Sequence, residues 1–469
     1  MHTLKQQWFG NMRADVLAGI VVGLALIPEA LAFAFIVGVD PRVALYASFT
    51  IAVITSFVGG RPGLISAATG AMALVLVSLM ANHGLQYVLA ATILTGLIQF
   101  ILGLFGVANL MRFIPNSVML GFVNALGIMI FITQLPYLIG GGVLTYVFAI
   151  VTLILVYAIP RFITVIPAPL IAIVVMTAIA LFSGVKLQSI GDLGTMPNSL
   201  PIFFLPDIPL NFETLKIILP YALALSVVGL LESLLTSQVL DDMTDTSSNK
   251  NTEARGQGIA NFVNGFFGGM AGCALIGQSV INIKSGGRGR LSTLTSGVFL
   301  MFLIIVLGDV VVKIPMPVLV GVMIMVSMTT FNWGSFKFMK QAPRSETLVM
   351  LITVVIILYS HNLAIGVVVG VILSALFFVA KISRVTVTHD KEVYKVKGPL
   401  FFASTTKFIQ SFDDVKENVI FINFEDSQLW DESAVGAVLK VKQELEKKGV
   451  TVHIQGLNSS SEQLYQQFT

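Results

Sequence analysis

The chain has 469 residues, of which 55% are hydrophobic and 11% charged, with a net charge of +3 and a mean hydropathy of +0.88. Soluble domains carry about 25% charged residues, so this composition excludes a soluble globular protein, and so small a net charge excludes nucleic acid as a partner. One cysteine, Cys273, and five scattered histidines exclude a disulfide framework and a metal centre.

Apolar stretches close to the ~20 residues that cross a bilayer recur from Val16 to Ala380. They are too many for a signal peptide or a single anchor, and no cleavable presequence is expected. They predict fourteen membrane segments, at 15–36, 43–58, 66–81, 87–107, 114–135, 142–159, 168–184, 217–240, 256–270, 275–284, 292–311, 317–331, 346–360 and 362–381. With the N-terminus cytoplasmic, only Arg42, Lys186, Lys216 and Lys313 fall outside among the Lys and Arg up to Arg384. The positive-inside rule expects this asymmetry, and it supports an even number of crossings with both termini in the cytoplasm.

A polar, proline-containing stretch from Lys186 to Lys216 divides the membrane part into two halves of seven. Two odd halves in series must lie upside down relative to each other, the inverted-repeat layout of secondary transporters. The first repeat spans about 13–185 and the second about 216–384, within a membrane domain of residues 1–384. Gly-Gly-x-x-Gly starts at Gly59 and again at Gly268, each where the second segment of a half gives way to the third. The two stretches are expected to be internal counterparts, and VVGLALIPEAL (21–31) against VVGLLESLLTS (227–237) is a fainter echo.

If the third and tenth segments begin near the midplane, their free N–H groups and positive dipole ends make an anion site. Ala68, Thr69 and Gly70 frame the first start, where Ser66 and Thr69 add hydroxyls, and Leu275, Ile276 and Gly277 frame the second. Close helix packing by small residues is the alternative reading of such stretches. Glu29 and Glu232 are the acids in the middle of apolar segments. An ionisable group at that depth marks a substrate, ion or proton path, the alternative being a neutral carboxyl bonded between helices. Thr236 lies one turn after Glu232, where its hydroxyl could hold a cation or the carboxyl, or bond back to the preceding turn. The basic loop NIKSGGRGR (282–290) reads mainly as a topology anchor. No Ser-His-Asp set, zinc-protease helix or Walker loop is present, so neither hydrolysis nor ATP-driven pumping is expected, and the chain is not read as an enzyme.

After Arg384 the pattern changes to a small α/β domain, residues 385–469. VTVTHDKEVYKVKGPLFF alternates as strands do, VIFINF (419–424) reads as a buried strand, ESAVGAVLKVKQELEKKG (432–449) as an amphipathic helix stopped by glycine, VTVHIQG (450–456) as a strand and SSSEQLYQQF as a last short helix.

RADVLAGIVVGLALIPEALAFAFIVGVDPRVALYASF (13–49), GLLESLLTSQVLDDMT (229–244) and NIKSGGRGRLS (282–292) together resemble the SulP anion permeases, and the tail resembles a STAS domain. The resemblance implies a seven-plus-seven inverted repeat with core and gate domains and elevator-like alternating access. It also implies a small inorganic or organic anion as substrate, of the sulfate, bicarbonate or dicarboxylate class, and a homodimer in the lipid bilayer of the plasma (inner) membrane. Carried over, Glu29, Phe33, Thr69, Leu275 and Ile276 match substrate-site positions, Glu232 matches the coupling acid and Thr236 a sodium-ligand hydroxyl. No cofactor is implied beyond a coupling ion, the proton, with sodium as the alternative. Glu29 stands where Gln is frequent, which adds negative charge unless it is protonated. Leu275 and Ile276 replace small or hydroxyl residues, which weakens sodium coordination. Glu432 takes a serine position of the STAS loop, leaving Ser433. An uncoupled channel, a sodium-coupled bicarbonate transporter, a nucleobase–proton symporter and a membrane sensor are the competing readings.

Overall fold

The computed structural model describes residues 4–163, 166–209 and 211–469, and it divides into two compact units, Met1–Val371 and Ile372–Thr469. The first half of the membrane part runs α1 (Leu4–Phe9), α2 (Met12–Val37), α3 (Pro41–Val58), β1 (Ser66–Ala68), α4 (Gly70–His83), α5 (Leu85–Leu104), α6 (Asn116–Leu138), α7 (Val143–Ala158) and α8 (Ala168–Ser183). The second runs α9 (Phe212–Thr244), α10 (Lys250–Phe266), β2 (Gly272–Ala274), α11 (Ile276–Lys284), α12 (Arg290–Val311), α13 (Met316–Thr330), α14 (Ser335–Gln341), α15 (Arg344–Ser360) and α16 (Leu363–Ile382). Seven helices of each half fall on the fourteen expected segments. The short helices α1 and α14 are additions the apolar pattern does not reveal, being only 6 and 7 residues long.

The packing carries the inverted repeat. α2 lies along α12 and α9 along α5; α10 lies along α5 and α3 along α12; α6 packs on α13, with α15·α6 matched by α13·α7. Each pairing is its counterpart with the halves exchanged. Two helix groups result, one of α2–α5 with α9–α12 and one built on α6, α7, α13 and α15. The approach of α5 to α10 is closest at Gly96 and Gly258, where a Cβ would fall on the backbone of Phe262 and of Phe100. Small residues allow this in a membrane, where helix association rests on packing.

Among the described residues, nine helical stretches are long and apolar enough to cross a bilayer, while Gly70–His83 and Ala168–Ser183 are shorter apolar helices. α10 is only weakly apolar. It carries a buried polar stripe, Glu253, Gln257, Asn261 and Asn264, at helical spacing. A buried amide or carboxylate must find hydrogen-bond partners, and these find them on the broken stretches of the two halves.

β1 and β2 are those stretches. They pair antiparallel, Ser66 with Ala274, Ala67 with Cys273 and Ala68 with Gly272. Asn261 Oδ1 accepts from Gly272 N and its Nδ2 donates to Gly272 O, both at 2.9 Å. Gln257 Nε2 donates to Ser66 Oγ at 2.6 Å, and Ser233 Oγ accepts from Ala274 N at 3.0 Å. Irregular backbone at membrane depth is tolerated only where protein satisfies it, and these side chains do so.

In the second unit, β3 (Thr386–Asp390), β4 (Val393–Lys397), β5 (Val419–Asp426) and β6 (Thr451–Gln455) form one sheet in that order, antiparallel for the first pair and parallel thereafter. With α17 (Thr405–Gln410), α18 (Glu432–Lys447) and α19 (Ser459–Phe468), it encloses a core of Val396, Phe408, Ile420, Ile422, Phe424 and Val438. The alternation in β5, with Ile420, Ile422 and Phe424 buried, is the period-two pattern of a strand with one covered face.

Candidate functional site

α4 and α11 start where the paired strands end, so the two half-helices face the same region from opposite halves. Thr69 caps α4, its Oγ1 accepting from Met72 N at 3.4 Å. Leu275 occupies the corresponding position before α11 and supplies no side-chain cap. The first turn of α11 therefore presents free backbone N–H groups and the positive end of its dipole.

These starts open on a cavity of about 1030 Å³. Glu29, Phe33, Gly70 and Glu232 line it, as do Leu275, Ile276 and Gly277. Seven of the candidate residues thus meet around one space, from α2, α4, α9 and α11. Gly277 is exposed, and a Cβ there would meet nothing within 4 Å, so a ligand could approach this backbone closely. Phe122 from α6 and Phe331 and Trp333 beyond α13 cover the side facing the second helix group.

The other three candidates stand behind the wall. Ala68 is buried in β1. Thr69 is 0% exposed, its Oγ1 3.1 Å from Cys273 Sγ, so its hydroxyl serves the cap and the thiol. Thr236 is fully buried and bonds back along α9, its Oγ1 donating to the Glu232 carbonyl at 2.7 Å. Leu235, one residue earlier, faces the cavity in its place.

Two polar contacts escaped the sequence reading. Cys273 Sγ donates to Glu232 Oε2 at 3.0 Å, so a chain of contacts runs from Thr69 through Cys273 to Glu232. Gln278 Nε2 donates to Glu29 Oε1 at 2.8 Å and ties α11 to α2. Both partners lie far away in sequence. For Cys273 and Gln278 the available signal was a polar residue among the small and apolar neighbours that precede and open α11; for Glu253, Gln257 and Asn261 it was their helical spacing along α10.

One expectation is corrected by the geometry. The Gly-Gly-x-x-Gly motifs are not structural counterparts: Gly63 precedes β1 by three residues, whereas Gly272 is the first residue of β2. Nor do the glycines of the first copy approach the cavity. A Cβ at Gly60 would strike the backbone of Asn249 and Glu253, and Gly63 lies against Arg288 and Asn282. They let the chain run close to α10, where Glu253 Oε2 accepts from Gly60 N at 2.7 Å and Arg61 N at 2.9 Å. The half-helix starts themselves are the equivalent points, Thr69 corresponding to Leu275.

The loop 282–290 is likewise more than a charge marker. Arg290 is 9% exposed, its guanidinium donating to Ser56 O (2.9 Å), Phe57 O (3.2 Å) and Gly59 O (2.8 Å) at the C-terminal end of α3. Arg288 Nη1 donates to Ile283 O at 2.8 Å and closes the end of α11.

Comparison with known proteins fits this architecture. The sulfate permease family matches residues 12–144 and 141–353, and the STAS domain matches 383–469. The chain is 56% identical to the putative sulfate transporter YbaR of Bacillus subtilis (strain 168), over 99% of this chain and 98% of that one. Among solved structures, it is similar to the transmembrane domain of a cyanobacterium bicarbonate transporter, BicA, with a TM-score of 0.67 at 26% identity over 78% of this chain and 98% of that chain. The murine Solute Carrier 26 family member A9 anion transporter in the inward-facing state shares the fold, with a TM-score of 0.84 at 18% identity over 99% and 88% of the two chains. The relatives are transporters and not enzymes. The chain belongs to the sulfate permease family, a multi-pass anion transporter with a C-terminal STAS domain.

Proposed function

We propose that this chain is a secondary active transporter of a small anion of the sulfate, bicarbonate or dicarboxylate class, coupled to protons through Glu232. The observation that carries the reading is the uncapped start of α11, which opens with the start of α4 on a cavity that also holds Glu29 and Glu232. Free N–H groups and a helix dipole attract an anion; two carboxylates beside it repel one. A proton on Glu232 removes one negative charge for each anion admitted, so anion and proton load together. The names of the relatives, sulfate and bicarbonate transporters, support the substrate class.

In this reading Glu29, Phe33, Gly70, Leu275, Ile276 and Gly277 form the substrate site, with Ala68 and Thr69 supporting it from behind. Thr236 holds the turn that carries Glu232. The group of α2–α5 and α9–α12 moves as an elevator against the other helices. Residues 1–384 are the transport domain and 385–469 the short STAS domain, and the protein works as a homodimer in the plasma (inner) membrane with both termini cytoplasmic.

Uptake into proteoliposomes tests this. An imposed proton gradient is expected to drive accumulation of labelled sulfate, bicarbonate or succinate, and Glu232→Gln to abolish accumulation while the protein stays folded. No uptake of any of these anions under any proton or sodium gradient refutes the transport reading, and unchanged accumulation in Glu232→Gln refutes the assignment of the coupling residue.

A further inference from the structure

Gln278 is the third residue of α11, beside Gly277 at the uncapped helix start, and it is 4% exposed while lining the cavity. Its amide Nε2 is committed to Glu29 Oε1 at 2.8 Å, and its carbonyl Oε1 is buried without a hydrogen-bond partner. Native interiors rarely leave a buried acceptor unmet. In an anion site the arrangement is doubly unfavourable. A fully ionised oxyanion such as sulfate has no hydrogen to offer Oε1, and one of the amide hydrogens it needs is held by a carboxylate.

We propose that Gln278 is an anion ligand gated by protonation of Glu29. When Glu29 is ionised, its charge holds the Gln278 amide, since a charge-assisted hydrogen bond is roughly twice as strong as a neutral one. When a proton from water in the cavity adds to the carboxylate, the new O–H donates to Gln278 Oε1 and satisfies the orphaned acceptor. The neutral carboxyl then competes only weakly for the amide hydrogen it held, and the amide turns its donors to the anion at the start of α11. One proton bound and one ligand released account for the exchange, and no other bond forms or breaks.

The other ionisable groups lining the cavity, among the described residues, are Glu232 on α9, Tyr157 on α7 and Lys284 at the end of α11. α3, α4, α8, α12 and α13, which also pack around α2, contribute none to that lining. Glu232 is therefore the second carboxyl that the test must remove.

The inference rests on the cavity being an anion site, and the experiment separates the two. Sulfate, whose charge does not change over the range used, is titrated calorimetrically into the purified full-length protein at about pH 6 and about pH 8. Wild type is compared with Glu232→Gln alone and Glu232→Gln combined with Glu29→Gln or with Gln278→Leu. The Glu232→Gln parent is expected to bind sulfate more tightly as pH falls, by up to about tenfold per pH unit, the limit for one linked proton. Adding Glu29→Gln, which imitates the neutral acid, should fix binding at the tight level at both pH values. Adding Gln278→Leu removes the ligand and leaves only the direct repulsion between Glu29 and sulfate, so binding should be weak at both pH values and its slope shallower than the parent's. A slope retained in the Glu29→Gln double variant, an undiminished slope in the Gln278→Leu double variant, or no slope in the parent overturns the gating and leaves the anion site standing. If the wild type binds none of sulfate, bicarbonate and succinate at either pH, both are overturned.

Discussion

Replacing Arg290 distinguishes two accounts of the basic loop. If its charge only orients the chain in the membrane, Arg290→Lys is neutral. The structure gives the guanidinium a different task, because three carbonyls at the end of α3 depend on it, and two of those hydrogen bonds, to Ser56 O and Gly59 O, are buried. An orphaned buried carbonyl costs about 1–3 kcal/mol, so Arg290→Ala should lose about 2–6 kcal/mol; Phe57 O is partly open and can turn to water. Lysine keeps the charge but cannot present a fork to separate acceptors, and it should recover less than half. Unfolding entropy grows with chain length, so the shift is on the order of 5 °C. The assay is thermal unfolding of the purified protein in detergent, with both variants beside wild type. An Arg290→Lys variant that melts with the wild type, or an Arg290→Ala variant within about 0.5 kcal/mol of it, refutes the capping argument.

Gly258→Ala places a methyl group against the Phe100 backbone, where neither helix can yield, and overpacking of this kind costs about 1–3 kcal/mol or more; a lower yield of monodisperse protein in size-exclusion chromatography is expected. Asp241 sits between Arg61 at 2.8 Å and Lys250 at 2.7 Å, and the Arg61 and Asp241 side chains are each only 8% exposed. Asp241→Asn strands a buried guanidinium and should cost about 3–5 kcal/mol, measured by the same melting assay. In the STAS domain, burial and then the nearby Glu417 push the Tyr394 hydroxyl up to about 12, and its hydrogen bond to Glu417 Oε2 is 3.0 Å. A folded-state value raised above the unfolded one gives stability that is complete below about pH 10 and lost as pH passes about 12. Hydrogen exchange of the β4 and β5 amides should therefore accelerate over that window in wild type and lose this pH step in Tyr394→Phe.

What the sequence made legible was whatever a local apolar pattern encodes. Most of the fourteen segments carry their own hydrophobic run, α10 and α11 least, and an odd number in each half forces inversion before any contact is known. β3 and β4 announced themselves by alternation, β5 by its apolar run and α18 by its stripe and terminal Gly449. The crossing strands did not, since three residues of Ser66–Ala68 and of Gly272–Ala274 have no period to read. The shared motif was misleading for a physical reason. Glycines at Gly60 and Gly272 each permit a close backbone approach, but to different partners, Asn249 and Glu253 in one case and Ala67 in the other. In the site, Glu29 and Glu232 stood out because charge is rare at that depth. The amide that binds one and the thiol that binds the other did not, because each is separated from its acid by a long stretch of chain and becomes its neighbour only when the two halves close on each other.

The pairing of β1 with β2 also has a consequence for how the protein is made. Ser66–Ala68 leaves the ribosome about 200 residues before the strand that completes it. At about 5–20 residues per second the first half waits roughly 10–40 s with unmet backbone groups at the level of the bilayer. During synthesis those groups must be shielded by water in the translocation channel or by an insertion chaperone. The first seven segments made alone should then be held by that machinery or degraded, and supplying the second seven as a separate polypeptide should rescue them.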